Sequence, residues 1–94
     1  MLSIKDQVLW VSGKIDFDNA EQYYQHGLTL IQAQPLPLVV NLSELEQGST
    51  LALAVLIRWL RQTPNAQGLH FQEKKKKMLK IIQACHLQHD LTLI

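Results

Sequence analysis

Apolar and polar residues alternate in blocks along the chain, and the spacing inside each block predicts its element. Val8-Leu9-Trp10-Val11-Ser12 is β-branched and aromatic, with Lys5-Asp6-Gln7 before it and Gly13 after it, which predicts a strand with a short partner at residues 2–4. Asp18 or Asn19 offers a helix N-cap, and Glu21 stands three residues after Asp18, as in a capping box. Ala20, Tyr23, Tyr24, Gly27, Leu28 and Ile31 then recur at three- and four-residue spacing, one face of a helix running to about Ala33. Gln34-Pro35-Leu36-Pro37 breaks it.

Leu38-Val39-Val40-Asn41-Leu42 is nearly continuous in apolar residues, the pattern of a strand covered on both faces. A turn through residues 43–48 leads to a helix from Thr50 to about Gln62, for which Ser49 is a natural N-cap. Thr63-Pro64-Asn65 stops that helix. Residues 68–72 read as a further strand, residues 78–86 as a third helix with Met78, Ile81, Ile82 and Cys85 on one face, and residues 91–94 as a last strand. Strands alternating with helices predict an α/β sandwich with a mixed, mainly parallel sheet of four or five strands and about three helices. No internal repeat or linker interrupts it, and 94 residues fit one domain, residues 1–94.

Composition narrows the function classes. No apolar run reaches the roughly 18 residues of a membrane span, and Met1-Leu2-Ser3-Ile4-Lys5-Asp6 lacks the features of a signal peptide. A lone Cys85 cannot form an internal disulfide, which suits a reducing compartment. The net charge of +1 is far from that of a dedicated nucleic-acid binder. It is also lopsided: up to Glu46 six acids face two lysines, and from Gln47 onward seven bases face two acids. Such a dipole orients a partner.

Signals for catalysis are weak. Cys85, His86 and His89 stand close together, but no fourth ligand accompanies them, so neither a metal nor any other cofactor is expected and Cys85 is read as a core residue. His70 joins the two histidines only if the fold brings them together. No glycine-rich elbow or cradle presents a nucleophile or a phosphate, and Gly48-Ser49-Thr50 lacks the remaining glycines and the lysine of a phosphate loop. An enzyme is therefore not expected. Lys74-Lys75-Lys76-Lys77 falls where the third helix begins, and is either a solvated turn or a contact for lipid phosphates or an acidic protein.

The second helix is the most informative segment. Leu51-Ala52-Leu53-Ala54-Val55-Leu56-Ile57 has no polar residue over almost two turns, so it is either sealed between the sheet and its neighbours or leaves one side as an apolar patch for another protein. Arg58 and Arg61 flank Trp59 at its far end, residue types enriched in interface hot spots. At its near end Ser49 and Thr50 place two hydroxyls beyond the carboxyl end of a strand, where open α/β sheets make their contacts.

These residues resemble the STAS domain family, and within it the MlaB-like subunits of Mla-type phospholipid-transport ABC complexes. Ser12-Gly13-Lys14-Ile15-Asp16 is similar to the family's S-G-E-L-D strand, and residues 38–56 to its I-D-L-S strand followed by D-[ST]-x-G-L-A and an apolar helix. With Leu51-Ala52 as anchor, the family's Asp position is Gln47, its phosphorylatable position is Gly48, Thr50 replaces the glycine before the helix, and Asn41 replaces the strand's acid. The resemblance implies a cytoplasmic, non-catalytic adaptor at the inner face of the inner membrane. It would bind the ATPase of a complex that maintains outer-membrane lipid asymmetry. Gln47, Gly48, Ser49, Thr50, Leu53, Arg58 and Trp59 would be the contact residues, with the lysine run at the rim. The alternative is an anti-sigma factor antagonist, whose switch here lacks its acceptor hydroxyl at Gly48 and would use Ser49 or Thr50.

Overall fold

The computed structural model describes residues 1–46, 49–64, 68–73, 77–85 and 91–94. Asp6 and Gln7 both adopt left-handed backbone, with φ of 54° and 64°, and this two-residue turn pairs β1 (Leu2–Lys5) antiparallel with β2 (Val8–Gly13). Three crossovers follow: α1 (Ala20–Gln32) to β3 (Leu38–Leu45), α2 (Thr50–Arg61) to β4 (Leu69–Gln72), and α3 (Lys77–Ala84) to β5 (Thr92–Leu93). The sheet order is β1-β2-β3-β4-β5, and every pair after the first is parallel. Parallel crossovers are right-handed, so a sheet that always steps in one direction carries α1, α2 and α3 on one face. The fold found, with five strands and three helices, is the α/β sandwich expected from the sequence.

The core lies between that helical layer and the sheet. Leu9 and Val11 of β2, Leu38, Val40 and Leu42 of β3, and Leu69 and Phe71 of β4 meet Tyr24 and Ile31 of α1, Leu53, Leu56 and Trp59 of α2, and Met78 and Ile82 of α3. The other face of β3 is not covered as its apolar run predicted. Val39 stands there half-buried between Val8 and His70, and the buried Asn41 lies between Trp10 and Gln72. β-branched residues suit a strand whether or not both faces are packed, so the run alone overstated the cover.

β3 also runs past its expected end at Leu42. A bulge opposite Trp10 and Ser12 inserts an extra residue, and the backbone N–H of Ser43 donates to Asn41 Oδ1 at 2.8 Å. Alternation shifts by one, so Leu42 and Leu45 both point inward, and the strand reaches Leu45 rather than turning at Ser43. Asn41 Nδ2 donates to Gln72 Oε1 at 3.1 Å, which satisfies the amide on both sides.

Two helix starts differ from the sequence pattern. Asn19 is the N-cap of α1, one of the two residues the sequence offered, but its side chain makes no cap hydrogen bond. It joins Asp16 in a reciprocal pair in the turn ahead of the helix, the N–H of Asn19 donating to Asp16 Oδ1 at 3.1 Å and that of Asp16 to Asn19 Oδ1 at 2.8 Å. The expected Asp18–Glu21 box is not found: the Asp18 N–H donates to Asp16 Oδ1 at 2.9 Å, and the Glu21 carboxylate pairs with Arg58 of α2. At α3 the Glu73 carboxylate accepts from the N–H groups of Met78 at 2.8 Å and Leu79 at 3.2 Å, placing negative charge where the helix dipole favours it. Lys77 is the first residue of α3, while Lys74, Lys75 and Lys76 lie outside the described residues. Cys85 is a correction: α3 ends at Ala84 and the thiol is exposed rather than core. The apolar face of α3 is already complete with Met78, Ile81 and Ile82.

Candidate functional site

β2 and β3 end side by side, with Gly13 paired to Leu45 and the Glu46 N–H donating to the Gly13 carbonyl at 2.9 Å. The connections that enter α1 and α2 therefore leave the same edge of the sheet. Gly13 has a φ of +85°, and a Cβ there would lie 2.8 Å from Tyr23 Oη, so both backbone and space demand glycine. Tyr23 Oη donates to the Ser12 carbonyl at 2.7 Å and accepts from the Met1 amino group. Burial, with the nearby carboxylates of Glu46 and Asp16, pushes the Tyr23 phenol up from its ordinary value. Burial also lowers the Met1 amine.

Ser49 caps α2 as expected. Its backbone is extended, and its Oγ accepts from the Ala52 N–H at 3.0 Å. That hydroxyl is half-buried and committed to the helix, whereas Thr50, the first helical residue, is exposed. Gln47 and Gly48 lie outside the described residues.

Along α2 the ambiguity of its apolar sequence resolves mostly toward burial. Ala52, Leu53, Val55, Leu56 and Trp59 are buried, and the outward stripe is Thr50, Ala54, Arg58 and Arg61 with Ile57 half-buried beside it. Two expected contact residues are thereby corrected. Leu53 is 3% exposed and Trp59 is 0% exposed, so both face their own core. Apolar periodicity cannot tell a helix wedged between two others from one with a free side, and α2 lies against both α1 and α3.

Trp59 fills the seam between α1 and α2. Its indole Nε1 donates to the Tyr24 carbonyl at 3.0 Å, and its ring lies so near Gly27 that a Cβ there would stand 2.2 Å from Cζ2. Arg58 covers the seam from outside. Its guanidinium stacks 3.6 Å from the centre of the Tyr24 ring and pairs with the Glu21 carboxylate at 2.8 Å. The hydrogen bond from Arg58, with one from Gln25, holds the Glu21 carboxyl below its ordinary value, and Glu21 raises Arg58 in turn.

One exposed residue escaped the sequence reading. Phe17 is 93% exposed, on the turn between β2 and α1. The signal was present in Asp16-Phe17-Asp18, an aromatic flanked by acids and out of phase with the apolar face of α1. Among the described residues no group of three or more His, Cys, Asp or Glu side chains is placed to hold a metal ion. His70 sits half-buried on the open face of the sheet, while His86 and His89 lie outside the described residues.

A sheet of consecutive strands with three helices on one face and two helix-entry loops at the carboxyl edge is the arrangement of STAS domains. An anti-sigma factor antagonist from Mycobacterium paratuberculosis shares the fold, with a TM-score of 0.79 at 23% identity over 99% of this chain and 81% of that one. The family described as Mlab, STAS domain matches residues 2–94, and the chain belongs to it. Two solved relatives are much nearer in sequence. A chain of the Acinetobacter MlaFEDB complex in the ATP-bound Vtrans1 conformation is 61% identical over 100% of both chains, with a TM-score of 0.90. Its counterpart in the ATP-bound Vtrans2 conformation is 61% identical over 100% of this chain and 99% of that one, with a TM-score of 0.91. Comparison with the curated proteins gave no match.

Proposed function

We propose that this chain is a non-catalytic adaptor: the STAS subunit of a phospholipid-transporting ABC complex that binds the cytoplasmic ATPase at the inner face of the inner membrane and supports its assembly or activity in maintaining lipid asymmetry. The observation that carries this reading is the 61% identity, over the full length of both chains, to a chain of the MlaFEDB complex. The anti-sigma antagonists share only the fold at 15–23% identity.

The docking surface is the carboxyl edge and the outward stripe of α2. Among the described residues Thr50 leads it, Ala54 and Ile57 supply apolar contact, and Arg58 and Arg61 close it. Leu53 and Trp59 support it from beneath. Thr50 is the hydroxyl open to a modifying or docking partner, because that of Ser49 is engaged as the helix cap.

Co-purification with the ATPase subunit tests this. A carboxylate at the first position of a helix favours its dipole, so Thr50→Glu keeps the fold while placing charge in the contact. Recovery of the complex is expected to fall at least tenfold for Thr50→Glu and for Ala54→Glu. If the wild-type chain does not co-purify, the adaptor reading fails; if both variants are recovered like wild type, the docking surface lies elsewhere.

A further inference from the structure

Phe17 is the most exposed large apolar side chain among the described residues, and the fold holds it out rather than leaving it loose. The turn that carries it is tied at both ends. Asp16 Oδ1 accepts from the N–H of Asp18 at 2.9 Å and of Asn19 at 3.1 Å, Asn19 returns the bond to Asp16, and Asn19 Nδ2 donates to the Lys14 carbonyl at 2.8 Å. The Ala20 N–H donates to the Asp16 carbonyl at 2.8 Å, which joins the turn to α1. A ring mounted on such a turn loses little backbone freedom when it is buried by a partner, the condition under which an aromatic becomes an interface anchor.

Its position and surroundings indicate what receives it. The turn leaves β2 at the edge where β3 leads toward Thr50. The turn that carries Phe17 is mainly negative, with Asp16 and Asp18 directly beside the ring against Lys14. We propose that Phe17 is the anchor of the docking surface, plugging into an apolar cup ringed by Arg or Lys on the ATPase subunit. The assignment of that partner rests on the adaptor reading above.

The test is the affinity of the full-length chain for the purified ATPase subunit, measured by calorimetry at low and high salt. Phe17→Ala is expected to weaken binding at least tenfold while the circular dichroism and melting midpoint stay those of wild type, and Phe17→Leu to restore most of the loss. Leu36→Ser, at the opposite end of the sheet, is expected to bind like wild type. Binding is also expected to weaken with salt, less steeply in Asp18→Asn. If Phe17→Ala binds within twofold of wild type while Thr50→Glu does not bind, the anchor is wrong and the adaptor reading stands. A wild-type chain that does not bind the ATPase sinks both. Salt-independent binding removes the basic rim, and self-association abolished by Phe17→Ala would assign the ring to a second copy of this chain and overturn the proposal.

Discussion

The seam between α1 and α2 and the carboxyl edge of the sheet are each marked by aromatic side chains, yet they use them in opposite ways. In the seam Trp59 is 0% exposed, its indole N–H is satisfied by the Tyr24 carbonyl, and Gly27 clears the space it fills. At the edge Phe17 is 93% exposed, and the hydrogen bonds run through the turn beneath it. The first arrangement stabilises the monomer; the second contributes almost nothing to stability and is suited to recognition. The difference shows that aromatic content alone says little about a docking surface until the neighbouring backbone is known.

The sharpest way to break this contrast is Gly27→Ala. The new methyl would meet a ring that has no free volume to move into, so overpacking costs about 3 kcal/mol at the upper end of its usual range. The gain in helix propensity returns about 1 kcal/mol. A net loss of about 2 kcal/mol is expected in chemical denaturation, and an unchanged midpoint would show that the seam is not tightly filled.

Ser49→Ala probes the border between the two regions. Loss of the cap to Ala52 is expected to cost about 1 kcal/mol of unfolding free energy. The thermal midpoint should fall by several degrees while Thr50 keeps its exposure.

The smallest effect is expected at Tyr23, beneath the edge. Its folded pKa is raised above the unfolded value, so its contribution is fully present below pH 10.0 and is lost as pH rises through the folded value. Between the two values the unfolded chain has released a proton that the folded chain keeps, and raising pH favours unfolding. The alkaline limb of the stability profile should be steeper for wild type than for Tyr23→Phe above pH 10.0. Equal slopes would show that burial of the phenol does not couple to folding.

Much of the fold was legible along the chain because each element carries its own periodicity. The apolar positions 20, 23, 24, 27, 28 and 31 became the inner face of α1, Ser49 became the cap of α2, and the helix–strand alternation became five strands and three helices. The errors share one physical cause, since they concern what lies across the molecule. The expected capping box did not form, since Glu21 pairs with Arg58 on another helix. The bulge at Ser43 carried β3 to Leu45, and the early end of α3 left Cys85 in solvent.

The candidate site was less legible than the fold. Its place at the entry to α2 followed from strand order and the cap, both local signals. Which side of α2 faces outward did not, because Leu53 and Ala54 are both apolar and only the neighbouring helices distinguish them. Sequence by itself determined the order of elements, the Ser49 cap of α2, and membership of a recognisable family. Tertiary structure alone decided which apolar residues are sealed and which are offered, because burial is a property of the neighbours a residue acquires when the chain closes on itself.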